Sequence, residues 1–125
     1  MGLDMFAQTA PRSAVTQPTD FDLREVKGLE DLHYWRKHPN LHGFMEALYR
    51  LKGGKSEDFN CDTLELTERD LNVLEAVIKE KMLPPTRGFF FGESDGSEIE
   101  DDLAFVAKAR AAIKAGKAVV YHAWW

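Results

Sequence analysis

The aromatic side chains of this chain fall into three clusters that are far apart in the sequence. The first contains Tyr34, Trp35, Phe44 and Tyr49, the second is Phe89-Phe90-Phe91, and the third contains Tyr121, Trp124 and Trp125. Because aromatic side chains dominate the energetics of protein cores, we expect the three clusters to meet in space. The pattern therefore predicts one core in which the last residues of the sequence take part.

Length and charge narrow the class of protein. A chain of 125 residues is expected to form a single domain over 1–125. The formal net charge of −5 argues against a duplex nucleic acid partner, because such binding requires many phosphates to be neutralised. One cysteine, no leader-like start and no long apolar run predict a cytoplasmic protein with no membrane partner.

Hydrophobic periodicity predicts an α+β fold, with three helices and a mixed or antiparallel sheet of about four or five strands. Strands are expected at 2–7, 62–66, 88–92 and 118–125, and helices at 39–52, at 68–81 and from Ser97 to Gly116. Residues 29–37 fit either a strand or one helix face, and the following Pro39 favours the strand. The segment 8–24, which has two prolines and little periodicity, is expected to be irregular and mobile.

Two helices carry more detailed signals. Thr67 and Asp70 have the spacing of a capping box at the start of the second helix. In the last helix, the inward face is expected to consist of Leu103, Val106, Ala107, Ala111 and Ile113. The acidic stretch before it is interpreted as a solvated loop whose carboxylates favour the helix N-terminus.

The run Trp35-Arg36-Lys37-His38 is the best candidate for a binding site. Arg36 offers a planar set of donors for carboxylate or phosphate, and a helix that starts at Pro39 adds amides without intrahelical partners. If the protein binds a small anionic ligand such as phosphate or a nucleotide, the ligand is therefore expected there. The alternative is that Arg36 is neutralised within the protein by Asp4, Asp31 or Glu46.

A catalytic interpretation is also open. His42, together with Arg36 or with Cys61, could form a small active site, although Cys61 is expected to be buried and unreactive because acidic residues surround it. His38, His42 and Glu46 have helical spacing, but Pro39 places His38 before the helix and leaves the set incomplete. The sequence accordingly predicts no metal and no cofactor.

Several motifs taken together resemble a family of small proteins found in bacteria and their phages. They are Met1-Gly2-Leu3-Asp4-Met5, Tyr34-Trp35-Arg36-Lys37, the helix with His42, Asn60-Cys61, Gly88-Phe89-Phe90-Phe91-Gly92, Asp101-Asp102-Leu103 and the terminal tryptophan. The resemblance implies a cytosolic protein associated with phages or mobile elements and assigns no catalytic residue. Some members carry the label phosphoglycerate kinase, which this sequence does not support, since it is too short for that two-domain enzyme and has no nucleotide-binding loop.

Two classes of function follow. The first is a binding or protein-interaction module without catalytic activity, whose partner is a protein or a small anionic ligand and which could be a homodimer. The second is a small enzyme or anionic-ligand binding protein. Trp35, Arg36, His38 and His42 are the expected site residues. A concave pocket where Arg36, His42 and Cys61 converge would favour an enzyme, whereas an exposed apolar patch would favour a binding module.

Overall fold

Four antiparallel strands and three α-helices form the described part of the protein. The computed structural model describes residues 2–88 and 91–125. The elements follow in the order β1 Asp4–Pro11, β2 Glu30–Arg36, α1 Pro39–Leu51, β3 Leu64–Leu66, α2 Glu68–Lys79, α3 Ile99–Lys114 and β4 Lys117–Trp124. The predicted α+β class is confirmed, the sheet is antiparallel, and residues 30–36 are a strand. The strand predicted at 88–92 falls partly outside the described residues, and Phe91 itself lies in irregular backbone.

The sheet has the order β2-β1-β4-β3, so the first and last strands of the chain are neighbours at its centre. Met5 of β1 faces Trp35 of β2 and Ala123 of β4. These three residues are buried against the helices. Since successive side chains of a strand point to opposite faces, Phe6 and its cross-strand neighbours lie on the other face of the sheet.

The core lies between the sheet and the helices and contains members of all three aromatic clusters. Trp35, Tyr49, Phe91 and Tyr121 are buried in one continuous apolar cluster. Two aromatic residues depart from the expectation: Tyr34 and Trp124 are mainly exposed, because each occupies a strand position that points away from the helices. The predicted aromatic core is otherwise confirmed for the described residues.

The segment 8–24 is more ordered than expected. Its first residues extend β1 as far as Pro11, and Thr19 forms an isolated bridge to Leu64 of β3. Val15 is buried, with Ala10, Ala118 and Val120, in a second small apolar cluster on the outer face of the sheet. The sequence did not predict this packing, because a long connection that lies along a sheet needs no regular spacing of apolar residues.

Helix α2 begins as predicted, while the inward face of α3 differs from the prediction. Both halves of the capping box between Thr67 and Asp70 are formed. In α3, Val106 is buried and Leu103 and Ile113 pack against the core as predicted, but Ala107 and Ala111 are exposed. The other buried positions are Asp102, Phe105 and Ala109. Alanines occur all round this helix, so the apolar pattern did not mark one face. Among the described residues, no helix is both long and apolar enough to cross a membrane.

Candidate functional site

A sharp turn between β2 and α1 places His38 inside the protein. Lys37 has a φ of 55°, a left-handed conformation that is uncommon outside glycine. Its amide donates to the carbonyl of Leu3 at 2.8 Å, which ties the turn to the sheet. Pro39 then starts α1 and His38 becomes the N-cap residue. His38 is only 3% exposed. Its imidazole is directed toward Asp102 of α3.

His38 links a buried carboxylate to a serine hydroxyl. Its Nε2 lies 2.7 Å from Asp102 Oδ2, and its Nδ1 lies 2.6 Å from Ser94 Oγ. Asp102, 1% exposed, also accepts a hydrogen bond of 3.1 Å from Trp35 Nε1. With Asp102 as a carboxylate, Nε2 carries the imidazole proton and Nδ1 accepts a hydrogen bond from the Ser94 hydroxyl. The three side chains form a continuous Ser94–His38–Asp102 relay.

The start of α1 and the loop before α3 complete the surroundings of the relay. The amide of Asn40 donates to Ser94 Oγ at 3.1 Å. Glu98 Oε1 lies 3.8 Å from His38 Nδ1. The Glu98 carboxylate is held by the amides of Asp95 and Gly96, at 3.0 Å and 3.3 Å. The serine is thus fixed by α1 while a second carboxylate stands beside the imidazole.

The relay opens into a cavity of about 400 Å³. Ile78, Leu83 and Ile99 provide apolar wall, and Ser94 is half-buried at the polar end with His38. A partly apolar cavity with a few convergent polar groups is typical of small-molecule sites. Here the polar end contains a hydroxyl that is hydrogen-bonded to a base.

This arrangement matches the requirements of nucleophilic catalysis. A serine hydroxyl is a weak nucleophile unless an adjacent base takes its proton, and a buried carboxylate orients that base. The ring nitrogens are used in the opposite order from the familiar Ser–His–Asp hydrolases, in which the carboxylate contacts Nδ1. The direction of proton transfer, from hydroxyl to imidazole, is nevertheless the same.

The structure brings two of the four predicted site residues to the relay. Trp35 donates to Asp102, and His38 is the central member. Arg36 lies on the outer face of the sheet, with Nη1 3.4 Å from Asp4 Oδ1. Asp4, one of the internal partners expected for Arg36, therefore contacts its guanidinium. The Asn40 amide, which was expected to face an anion, donates to Ser94 Oγ.

His42 lies one turn further along α1 and belongs to the core. Its Nδ1 is 2.7 Å from the hydroxyl of Tyr121, and its ring packs between Phe59 and Phe91. Burial lowers the pKa of His42 to about 4. The imidazole is therefore neutral at pH 7 and, at 2% exposure, shielded from solvent.

The prediction that Cys61 is buried is wrong. Cys61 is exposed and has a φ of 63°. It lies in a turn before β3, where its amide donates to the carbonyl of Ala123 at 2.7 Å and its thiol donates to Asn60 Oδ1 at 3.6 Å. It lines a separate cavity of about 520 Å³ with His122 and Phe21. Cys61 is thus at the surface while His42 is in the core.

Sequence reasoning missed Ser94 and the role of Asp102. Asp102 precedes the buried residues Phe105, Val106 and Ala109 by three, four and seven positions, which is the spacing of one helix face. An acid at such a position needs a buried partner, so this spacing was a usable signal. Ser94 carried none, because it lies in an irregular loop and meets His38 only through the fold.

A finding on metal ligands and three comparisons with known proteins bear on what else the site could be. Among residues 2–88 and 91–125, no group of three or more His, Cys, Asp or Glu side chains is placed to hold a metal ion. Searches with family models, curated protein sequences and solved structures gave no match to this chain. Function is therefore inferred from the geometry of the site itself.

Proposed function

We propose that this protein is a small cytoplasmic serine hydrolase that cleaves esters by acyl transfer to Ser94. The observation that supports this most directly is the pair of short contacts made by His38, 2.6 Å to Ser94 Oγ and 2.7 Å to Asp102 Oδ2. A cavity of about 400 Å³ in front of the hydroxyl gives a substrate room to approach. The cytoplasmic location is proposed from the single, free cysteine.

The proposed reaction has two steps. Ser94 Oγ attacks the ester carbonyl while its proton passes to His38 Nδ1, and the protonated imidazole then gives that proton to the departing alcohol. Water then attacks the acyl-enzyme through the same proton transfers, which releases the carboxylic acid and restores the Ser94 hydroxyl. Asp102 keeps its hydrogen bond with Nε2 throughout and stabilises the imidazolium that forms between the two transfers.

Two neighbouring groups support the charges that develop. The amide of Asn40, 3.1 Å from Ser94 Oγ, lies in the first turn of α1, where backbone amides lack intrahelical acceptors. As Oγ bonds to the carbonyl carbon, this amide passes its hydrogen bond from Oγ to the oxyanion that forms beside it. Glu98, 3.8 Å from Nδ1, adds negative charge next to the imidazolium. The binding energy for the acyl group comes from the apolar wall.

The test is covalent labelling of the serine combined with an ester assay. We expect a fluorophosphonate probe to modify Ser94, as located by peptide mass spectrometry, and the protein to hydrolyse p-nitrophenyl acetate. Ser94→Ala should abolish labelling and lower kcat by at least about a thousandfold, since the nucleophile of such a relay acts as part of a unit. Ser97→Ala is the matched control: Ser97 lies in the same loop and hydrogen-bonds Asp95 at 2.6 Å.

A purely structural relay gives a different outcome. In that case the folded wild-type protein neither labels nor hydrolyses the ester, and Ser94→Ala changes only the free energy of unfolding, by about 1 kcal/mol for lost hydrogen bonds. Thermal unfolding of both variants separates the two results. Labelling at a residue other than Ser94 would also contradict the proposal.

The expected binding module is a second proposal, and the exposed aromatic residues Tyr34 and Trp124 favour it. They lie on the face of the sheet opposite the relay, so binding there and hydrolysis at Ser94 are compatible. An association with phages or mobile elements is supported only by the motif resemblance. A role for Arg36 in holding a small anion is less favoured, because Asp4 lies beside its guanidinium.

A further inference from the structure

A row of aromatic rings crosses the outer face of the sheet. Phe6 of β1 is directly opposite Tyr34 of β2 and His122 of β4. The ring centroids lie 5.3 Å apart for Phe6 and Tyr34, and 5.1 Å apart for Phe6 and His122, whose planes are nearly parallel at 20°. Tyr34 is 52% exposed, and Trp124, two residues beyond His122 on the same face, is 64% exposed.

This row is left open while the rest of the same face is covered. At the other end of β1 and β4, Ala10, Ala118 and Val120 are buried beneath the connection between β1 and β2, which contributes Val15 and Phe21. Phe6 and His122 are half-buried, and Tyr34 and Trp124 are exposed. Exposed aromatic side chains grouped in this way are typical of binding surfaces.

Polar side chains flank the rings in a connected set. His122 Nε2 lies 3.2 Å from Gln8 Oε1, and Gln8 Nε2 donates to Asp31 Oδ1 at 3.1 Å. On the other flank, the Tyr34 hydroxyl donates to Asp4 Oδ1 at 2.5 Å. Burial lowers the pKa of His122, so its ring is neutral at pH 7 and has one donor and one acceptor.

Rings and polar groups together line a groove. Its volume is about 740 Å³, and its lining includes Phe6, Tyr34, His122, Gln8 and Asp31. A groove of this size is within the range of small-molecule sites. Its aromatic floor and its donors and acceptors are thus available to the same ligand.

Charge indicates which ligand fits. Asp31 and Asp101 line the groove, and its lysine, Lys108, donates to the carbonyl of Leu32 at 2.9 Å. Together with the net charge of −5, these acids oppose a single-stranded nucleic acid, whose binding depends on neutralising phosphates. An entirely apolar partner surface would bury the Gln8 and Asp31 polar atoms without new hydrogen bonds, which is costly.

We propose that this groove binds a neutral carbohydrate. A pyranose ring has an apolar face of C–H groups that packs on Tyr34 and Phe6, and a rim of hydroxyls that both donate and accept. Those hydroxyls match Gln8, Asp31 and neutral His122, which between them offer donors and acceptors. The site does not depend on Ser94 and is independent of the proposed hydrolysis.

The experiment is NMR titration of the whole chain with three neutral oligosaccharides: maltohexaose, cellohexaose and hexa-N-acetylchitohexaose. We expect at least one to shift the amide signals of Phe6, Tyr34 and His122 in a saturable way. Tyr34→Ala should weaken that binding about tenfold, the effect of losing about 1.4 kcal/mol of stacking. Val73→Ala, an exposed apolar residue on α2 that is 51% exposed, is the matched control and should leave binding unchanged.

Three results would overturn the proposal. One is that no oligosaccharide of the panel shifts these signals up to about 10 mM, a concentration at which even weak binding is visible. Another is that the shifts persist unchanged in Tyr34→Ala. The third is that oligothymidylate, or a second copy of the chain detected by sedimentation, occupies Phe6 and Tyr34 in place of a sugar.

Discussion

At the scale of single residues, His42 links stability to pH. Burial holds its pKa at about 4, against 6.5 for an ordinary imidazole. The folded state therefore disfavours the protonated ring, so the stabilisation is fully present above pH 6.5 and is lost as the pH falls from 6.5 to 4. A shift of this size corresponds to about 3 kcal/mol, at about 1.4 kcal/mol for each pKa unit.

The corresponding prediction concerns the difference between two proteins, because carboxylates titrate in the same range. We expect wild type to lose about 3 kcal/mol more unfolding free energy between pH 7 and pH 4 than His42→Gln, which has no imidazole to protonate. Urea unfolding at a series of pH values measures this. Parallel profiles for the two proteins would show that His42 is protonated equally easily in the folded and unfolded states.

The same scale shows why the candidate site was only half predictable. Trp35 and His38 were identified because a strand, a proline and a cation stood together in the sequence. Asp102 had the spacing of an inward residue but lay in an acidic run that resembled a solvated loop. Ser94 reaches His38 through a contact 56 positions away in the chain, and no local pattern specifies such a contact.

At the scale of elements, the two tryptophans at the end of β4 differ, since Trp124 is exposed and Trp125 is held by hydrogen bonds. Trp124 is 64% exposed. Trp125 instead exchanges two backbone hydrogen bonds with the Asn60 side chain, and its ring meets Phe91 edge-on with centroids 5.1 Å apart. The expectation that both tryptophans belong to the core therefore holds only for the second.

We predict that Trp125→Ala lowers the free energy of unfolding by roughly 2–3 kcal/mol, somewhat less than a fully buried tryptophan. Trp124→Ala should stay within about 0.5 kcal/mol of wild type, as is usual for exposed positions. Chemical denaturation of the two variants side by side gives the comparison. Equal losses in both would mean that the strand end, and not the Trp125 contacts, carries the stability.

Helices were predicted more accurately than the connection between β1 and β2. The spacing of apolar residues in α1 and α2 and the capping box at Thr67 are local signals, and they predicted these two helices correctly. The β1–β2 connection is held by distant partners: the Asp20 amide donates to Thr63 and the Glu65 amide donates to Pro18, at 3.1 Å and 2.9 Å. Such long-range pairing leaves little trace in composition.

We predict two kinds of behaviour for that connection and its contact with β3. The amide of Asp20, in the connection, and that of Glu65, in β3, should exchange slowly with deuterium, because each is hydrogen-bonded between the two segments. Trypsin should cut first after Arg24 or Lys27, which are exposed. Hydrogen exchange followed by mass spectrometry, together with limited proteolysis, tests both. Fast exchange at Asp20 would restore the original expectation of a mobile segment.

At the scale of the whole molecule, the two faces of one sheet are used differently. The helices cover one face and bury Asp102 beneath them, and the other face is half covered and presents Tyr34 and Trp124. The fold class and the aromatic core followed from residue periodicity. Strand order did not, because it depends on which distant strands pair.

The central pairing of β1 with β4, in which Asp4 faces Trp124 and Pro11 faces Lys117, has a consequence for synthesis. A ribosome delivers β1 more than a hundred residues before β4. Until β4 is made, β1 can pair only with β2, and its other edge has no partner. The nascent chain therefore exposes a transient strand edge to other chains until β4 has been translated.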